Sequence, residues 1–172
     1  MTIPKILSLP TALLIGCAAL SAAPLAAQAI EAGQALPVAS VPGNGDATLP
    51  LVDGKARATY IDFWASWCTP CRQSFPWMNR MQQKFGAQGL RIVAINLDAK
   101  RADADGFLAQ MPASFQLGFD GKGDAARRFG VNVMPSSVLV GPDGKVLAVH
   151  HGFREEDEAA LEQRIAAALA HP

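Results

Sequence analysis

Two cysteines separated by two residues are the part of the sequence best suited to chemistry. Cys68 and Cys71 lie in Trp-Cys-Thr-Pro-Cys, directly after a strand-like apolar run and directly before an amphipathic stretch. The remaining cysteine, Cys17, lies in an N-terminal segment that we expect to be removed or lipid-modified. One pair at this spacing predicts a redox-active dithiol rather than a scaffold of structural disulfides.

The positions of the two thiols predict different roles for them. Cys68 falls at the start of the predicted helix, where free backbone N–H groups and the positive end of the dipole stabilise a thiolate. Thiolates in such motifs have pKa values of about 3.5–7.5, against about 8.5 for a free thiol, so Cys68 is the predicted nucleophile. Cys71 lies one turn further in and is the predicted resolving thiol, which attacks the mixed disulfide formed by Cys68.

A metal site is a competing interpretation of this pair. A structural zinc takes four Cys or His ligands. Besides the cysteines, the sequence offers three histidines, which are His150, His151 and the terminal His171. His150 and His151 are adjacent in a strand-like run, so they are predicted to point to opposite faces. We predict no metal and no organic cofactor. A copper-binding metallochaperone that uses Cys68, Cys71 and one histidine stays open as an alternative.

An acidic residue in an apolar strand is the predicted proton acceptor. Asp62 lies six residues before Cys68 in an otherwise apolar run, so its side chain is predicted to be buried beneath the dithiol. Burial raises the pKa of a carboxyl group, and a raised pKa suits a group that accepts the proton of Cys71. The neighbouring predicted strand, Ile92 to Leu97, has no lysine to pair with it. The alternative is a carboxylate at a solvent-facing strand end.

The residues around the dithiol resemble the thioredoxin superfamily. Residues 61–72 read Ile-Asp-Phe-Trp-Ala-Ser-Trp-Cys-Thr-Pro-Cys-Arg and are followed by Pro76, and Val-Met-Pro-Ser-Ser at 133–137 is similar to the second signature of the superfamily. From about Gly33 to Ala170 the sequence resembles the secreted, TlpA-like thiol:disulfide reductases of the redoxin family. One departure is Asp62, which matches the buried aspartate of true thioredoxins.

The resemblance implies a fold and a set of site residues. The fold is the α/β thioredoxin fold, a central mixed β-sheet flanked by helices, here with a short N-terminal extension. Pro135 is implied to follow a cis peptide bond and to lie against the active-site disulfide. The residue before that proline faces the substrate in the family, so Met134 is predicted to bind substrate, together with Trp67, Thr69 and Pro70 beside the nucleophile.

These features predict a thiol:disulfide oxidoreductase that acts as a disulfide reductase. Pro70 offers no backbone N–H to a Cys68 thiolate, and weaker stabilisation of the thiolate makes the reduced form a better electron donor. A disulfide oxidase or isomerase is the alternative, although an isomerase usually needs a dimerisation module, for which residues 31–54 are too few. The expected partners are disulfide-containing client proteins, among them clients of cytochrome c or copper-site maturation. The resemblance also implies a membrane thiol electron donor of the DsbD type.

The N-terminal residues predict export to the periplasm. Lys5 precedes the apolar run from Leu7 to Ala23, and small residues follow at the positions that a signal peptidase reads. We predict a signal peptide at residues 1–29, cleaved at its end, and a thioredoxin-like domain at residues 30–172. A lipobox that ends at Cys17 and an uncleaved anchor are the alternatives, and each also places the domain outside the cytoplasm.

Composition and the remaining sequence pattern fit one such domain. The 172 residues include 15 Lys and Arg and 15 Asp and Glu, so the formal charge is balanced. There is no excess of basic residues that would indicate nucleic-acid binding. Residues 31–54 predict a lead-in with a short hairpin, and two buried strands around a helix that contains Pro76 predict a β-α-β unit. The predicted strands are Ala58 to Trp64, Leu90 to Leu97, Val138 to Val140 and Val146 to Val149, and the predicted helices beyond the first are Ala102 to Gln110, Gly123 to Phe129 and Glu155 to Leu169.

Overall fold

A computed structural model describes residues 29–170 of the protein, and the predicted export signal with Cys17 lies outside this part. Among residues 29–170, no helix has both the length and the apolar character needed to cross a membrane. The elements, in chain order, are β1 (Ser40–Pro42), β2 (Thr48–Pro50), β3 (Ala58–Trp64), α1 (Thr69–Phe85), β4 (Leu90–Asn96), α2 (Arg101–Gln110), β5 (Gln116–Phe119), α3 (Asp124–Phe129), β6 (Ser136–Val140), β7 (Val146–His151) and α4 (Glu158–Ala170).

A mixed five-stranded sheet forms the centre of the molecule, with the strand order β5-β4-β3-β6-β7. The central strand β3 runs parallel to β4 and antiparallel to β6. Every residue of β3 and β4 is buried, because both faces of the sheet are covered. The predicted thioredoxin fold is therefore confirmed, and the strand from Ala58 to Trp64 has the predicted bounds.

The two faces of the sheet support separate apolar cores. One core joins Tyr60 and Trp64 of β3 to side chains from α1, α2 and α4, and it includes both active-site cysteines. The other core joins Ile61 and Phe63 to α3 and to the N-terminal extension. Because alternate residues of a strand point to opposite faces, the side chain of Asp62 lies on the same face as Tyr60 and Trp64, towards α1 and α4.

Helix α1 follows β3 after a short loop and carries the dithiol at its first turn. Cys68 is the N-cap residue of α1, and Pro70 lies in the first turn, where its missing N–H leaves no helical hydrogen bond unmade. The helix continues through Pro76 to Phe85. Its buried side chains share one face, and they are Cys71, Ser74, Phe75, Trp77, Met78, Met81 and Phe85.

A buried arginine is one of the contacts that fasten the N-terminal extension to the sheet, beside backbone hydrogen bonds from Gly33 to Val146 and from Leu36 to Gly144. The guanidinium of Arg91, on β4, donates hydrogen bonds to the carbonyl oxygens of Pro50 at 2.6 Å and Leu51 at 3.1 Å. The β1–β2 hairpin also lies close to β5, since a Cβ atom at Gly118 would come within 2.5 Å of a methyl carbon of Val41. Glycine at this position lets the hairpin approach the sheet edge.

Two elements differ markedly from the sequence-based prediction, and a third agrees with it. The strand β5 at Gln116–Phe119 was not predicted, because its four residues include Gly118 and show no clear alternation, and it exists through pairing with β4. The final helix begins with a 3₁₀ turn at Glu155–Asp157, and the α-helical part starts at Glu158. The predicted short hairpin in residues 31–54 is present as β1 and β2.

Candidate active site

Cys68 and Cys71 form a disulfide at the N-terminal end of α1. Cys68 retains 4% of its accessible surface and lines a groove, whereas Cys71 is fully buried behind it. The backbone N–H of Cys71 donates a hydrogen bond to Sγ of Cys68 at 3.3 Å. The helix therefore offers one N–H to the outer sulfur and shields the inner one from solvent.

A hydrogen-bonded aspartate anchors the loop that precedes the dithiol. The carboxylate of Asp98, just after β4, accepts hydrogen bonds from the backbone N–H of Ser66 at 2.9 Å and from the Ser66 hydroxyl at 2.9 Å. It accepts a third from the side-chain amide of Asn96 at 2.7 Å. Two residues after Ser66 the chain reaches Cys68, so this cluster fixes the path of the backbone into the redox site.

The sequence-based interpretation missed the role of Asp98. Its signal is nevertheless present, because Asn96 and Asp98 are polar residues at the carboxyl end of an apolar strand. In open α/β sheets the carboxyl ends of neighbouring parallel strands meet at the functional edge. Ser66 follows the carboxyl end of the neighbouring strand β3, which is parallel to β4. The two chain segments were therefore predictable neighbours.

Asp62 is buried without a hydrogen bond to one of its oxygens. The residue retains 2% of its accessible surface, and Oδ2 has no hydrogen-bond partner among the described residues. Burial raises the pKa of the Asp62 carboxyl well above its usual value. Burial, together with the negative charge of Asp62, also raises the pKa of Tyr60 on the same face. The structure thus places a proton-binding group in the core that contains Cys71.

A groove beside Cys68 brings together the residues that were predicted to bind substrate. The peptide bond between Met134 and Pro135 is cis, as the resemblance implies. The groove has a volume of about 390 Å³ and lies between the dithiol loop and the loop before Pro135. Trp67 at its rim is 70% exposed. The lining residues are Trp67, Cys68, Thr69, Pro70, Leu97, Val131, Asn132, Val133 and Met134.

The other two tryptophans support the site from within the core. Trp64 is fully buried, and its ring packs against Phe75 with a centroid distance of 4.7 Å. Trp77 is buried between Tyr60 and Phe153, at centroid distances of 5.6 and 5.5 Å. These contacts hold α1 against β3 and against the segment between β7 and α4.

The two adjacent histidines point to opposite faces of β7, as predicted. Nε2 of His150 lies 3.5 Å from Oδ2 of Asp157 on the side of α4. Nδ1 of His151 lies 3.1 Å from the hydroxyl of Ser136. In the part of the chain that the structure describes, no three His, Cys, Asp or Glu side chains are grouped as metal ligands.

Comparison with known proteins identifies the family. The family model described as Redoxin matches residues 31–165, which is more than half of the chain. The chain belongs to the Redoxin family. The resemblance to thioredoxin-like redoxins that the sequence motifs indicate is therefore confirmed.

Individual relatives agree with this family assignment. The chain is 29% identical over 110 residues to thiol-disulfide oxidoreductase ResA of Bacillus thuringiensis subsp. konkukian (strain 97-27), which covers 64% of each protein. It is 30% identical over 108 residues to ResA of Bacillus subtilis (strain 168), covering 63% of this chain and 60% of that relative. The matched region thus spans less than two thirds of the length of these relatives.

A solved structure matches over almost its whole length. The crystal structure of a Chlorobium tepidum protein named thiol:disulfide interchange protein DsbE has a TM-score of 0.78 and 52% sequence identity. The match covers 82% of this chain and 99% of that chain. The family, the names of these relatives and the Cys68–Cys71 disulfide agree on thiol–disulfide oxidoreductase chemistry at this site.

Proposed function

We propose that the protein reduces disulfide bonds in client proteins of the periplasm by dithiol exchange. The observation that carries the proposal is the asymmetry of the cysteine pair. Cys68 caps a helix and lines an open groove, whereas Cys71 is fully buried one turn further along. A client sulfur can therefore approach Cys68 and not Cys71. The outer thiol attacks the client and the inner thiol resolves the intermediate.

The exchange consists of two attacks that transfer two electrons. In the reduced protein, the Cys68 thiolate attacks one sulfur of a client disulfide, and the other client sulfur leaves as a thiolate. The Cys71 thiol then loses its proton, and its sulfur attacks Sγ of Cys68. The mixed disulfide breaks, the second client sulfur leaves, and the Cys68–Cys71 disulfide forms. The client has gained two electrons and the protein has lost them.

Asp62 is the proposed acceptor of the Cys71 proton. The burial of its carboxyl group raises its pKa towards that of a thiol, and proton transfer is most effective when the pKa values of donor and acceptor are close. No lysine on β4 offsets its charge, and Oδ2 makes no hydrogen bond among the described residues. An acceptor with one free oxygen atom is suited to taking up a proton.

The groove beside Cys68 is the proposed docking surface for clients. Trp67 and Val133 expose apolar surface at its rim, and Thr69, Pro70 and Met134 line it. An exposed apolar patch beside a nucleophile fits a partner that presents a polypeptide rather than a small charged molecule. Pro135, which follows Met134 through a cis peptide bond, ends the loop that forms the opposite wall of the groove, and we propose that it shapes this wall.

The first turn of α1 supports the proposed direction of electron flow. The sulfur of Cys68 accepts a hydrogen bond from the N–H of Cys71, and the intervening Pro70 has no N–H to add. A thiolate with fewer donors is less stabilised, so the reduced pair gives up electrons more readily. A reductase that works outside the cytoplasm needs an electron supply, for which we propose a membrane thiol donor of the DsbD type.

The reduction potential of the Cys68–Cys71 couple tests this direction. The protein is equilibrated with a series of dithiothreitol redox buffers, and the reduced fraction is counted by thiol alkylation and mass spectrometry. We expect a value at or below about −250 mV, near the roughly −270 mV of thioredoxin. A value near about −120 mV, which is typical of a strong oxidant, would exclude the reductase and favour the oxidase.

Trapping of mixed disulfides tests the two cysteine roles and the existence of protein clients. Cys71→Ser should accumulate covalent complexes through Cys68, because no thiol remains to resolve them. The matched control is Cys68→Ser, which should capture none because Cys71 is fully buried. Complexes are counted in a periplasmic extract on non-reducing gels. Capture by the Cys68→Ser variant alone would reverse the assignment of the two thiols.

A further inference from the structure

A row of polar side chains crosses the sheet beside Asp62. Asp62 on β3 is directly opposite Ser137 on β6, and Ser137 is directly opposite His150 on the edge strand β7. Directly opposed residues of antiparallel strands project to the same face with their Cβ atoms about 5 Å apart. The three side chains therefore form a line from the central strand to the sheet edge, under α1 and α4.

A small cavity lies along this row. It lies between β3, β6, β7 and α4, is partly open to solvent, and offers about 10 Å³ to the centre of a water molecule, roughly the room that one water needs. Tyr60, Ser137 and His150 supply polar groups at its wall, and a buried water normally has two to four such partners. The other lining residues are Leu139, Ala148, Val149, Leu161, Arg164 and Ile165.

Both ends of the row have buried polar atoms that make no hydrogen bond among the described residues. These atoms are Oδ2 of Asp62 and Nε2 of His150. Buried polar atoms nearly always have a partner, either protein or water, so an ordered water is the expected partner of these atoms. Nε2 of His150 lies 3.5 Å from Oδ2 of Asp157, which is partly exposed. The row thus leads from the core to the surface.

We propose that Ser137, His150 and one water in this cavity carry protons between Asp62 and solvent while a client covers the groove above the dithiol. This inference rests on the proposed role of Asp62, and it holds for either direction of exchange. A polypeptide docked over Trp67 and Met134 blocks the direct way from the dithiol to bulk water. A route through the sheet edge stays open, because it ends on the side of α4.

The proton balance of this route is simple. Asp62 first releases a proton through this route, and it then receives the proton of Cys71 when the Cys68–Cys71 disulfide closes. The Asp62 carboxyl passes a proton through the Ser137 hydroxyl and the water to the His150 ring, and the resulting imidazolium releases one to Asp157 or to bulk water. No electron moves along the row. His150 does not touch the reacting sulfurs, so it is a positioning residue that acts through Asp62.

Charged and titratable groups face His150 and the cavity from several elements. Asp157, from the 3₁₀ turn before α4, faces Nε2, and Arg164 of α4 lines the same cavity. Tyr60 of β3 faces the cavity from the inside. His151, the next residue on β7, points to the other face and contacts Ser136. His151 therefore provides a matched control for His150.

The test compares a bulky with a small oxidant. The reduced protein is mixed in a stopped-flow instrument with a disulfide-bonded protein or with oxidised glutathione, and disulfide closure is followed in a single turnover. His150→Gln should close about tenfold more slowly with the protein substrate, a smaller loss than the roughly 100-fold or more of direct acid–base catalysis. The rate with glutathione and the reduction potential should be unchanged, and His151→Gln should leave both rates unchanged.

Several outcomes separate this inference from the proposed function. Equal slowing with both oxidants, no slowing, or a shifted reduction potential in His150→Gln would overturn the route. Asp62→Asn should slow closure with both oxidants, and adding His150→Gln to it should slow closure no further. If Asp62→Asn slows neither, the proposed role of Asp62 fails and the route fails with it. Should His150→Gln fold poorly, Ser137→Ala, which removes the hydroxyl, should reproduce the substrate-dependent loss.

Discussion

Asp62 and Asp98 are two buried aspartates on neighbouring segments of one sheet, and their surroundings differ completely. Asp62 retains 2% and Asp98 6% of its accessible surface. The carboxylate of Asp98 accepts three hydrogen bonds, from Ser66 and Asn96. Oδ2 of Asp62 accepts none within residues 29–170. Two aspartates of similar burial thus differ in role, since Asp98 anchors the redox loop and Asp62 is the proposed proton acceptor.

The difference lies in the number of donors rather than in depth. A carboxylate that is surrounded by donors is held in one position, and it holds the donors in turn. A carboxylate without donors is costly when ionised, so a proton binds to it more readily. Depth alone would assign the two residues the same role. The local hydrogen-bond partners distinguish the aspartate that fixes the redox loop from the one that we propose to exchange protons.

Replacing Asp98 should have the largest effect on stability. Asp98→Ala leaves the Ser66 N–H, the Ser66 hydroxyl and the Asn96 amide without their acceptor. Each buried donor left unpaired costs about 1–3 kcal/mol, and partial access of water to Ser66 limits the sum, so we expect a loss of about 3 kcal/mol. The measurement is urea unfolding of the oxidised protein. Ser66→Ala is the graded control, with a loss of about 1 kcal/mol because one donor disappears together with its bond.

A loss from Asp98→Ala no larger than that from Ser66→Ala would contradict the anchor. The hydrogen bonds would then be replaced by water, and the loop before Cys68 would not depend on them. The comparison with Asp62 would lose its basis, since both aspartates would be replaceable at little cost.

Replacing Asp62 should have a smaller effect, of opposite sign and dependent on pH. The folded-state pKa of Asp62 is raised above the unfolded value of about 3.9, so the folded protein binds the proton more tightly. The contribution of this group to stability is complete below about pH 4 and is lost as the pH rises through the folded-state pKa. Asp62→Asn removes the titration and should be more stable than wild type above that pKa, by about 1–3 kcal/mol.

The unfolding free energies of both proteins, measured from pH 4 to pH 9, test the assignment. The two curves should approach each other at the acidic end and separate as the pH rises. Parallel curves would mean that Asp62 does not titrate differently in the folded state, and they would remove the reason for treating it as a proton acceptor.

The sequence was sufficient to predict the groups whose signals are local. The Cys68 and Cys71 spacing, the apolar run around Asp62 and the Pro135 motif each lie within a few consecutive residues. The central strands and the order of the helices followed from hydrophobic patterns and from the family resemblance. These residues could be assigned to one site from the sequence alone, because the strands and the helix that carry them have clear hydrophobic patterns.

Features that depend on distant contacts were not predictable. The bond between Ser66 and Asp98 joins residues that are 32 positions apart, and it forms only because β3 and β4 end side by side. Strand β5 has too few residues for a pattern and is defined by its neighbour. The row from Asp62 to His150 depends on the register of two strand pairs, which hydrophobic pattern alone leaves undetermined.

Arg91 determines how this redox site can be moved into another protein. Its buried guanidinium takes its backbone acceptors from Pro50 and Leu51, upstream of the first strand of the main sheet. A fusion or graft that starts at β3 would remove those acceptors and also Asp53, whose carboxylate lies 3.7 Å from Nε of Arg91. The buried cation would lose its ion-pair partner, and an uncompensated buried charge is strongly destabilising. The smallest transplantable unit therefore includes the N-terminal hairpin, although no residue of that hairpin reaches the cysteines.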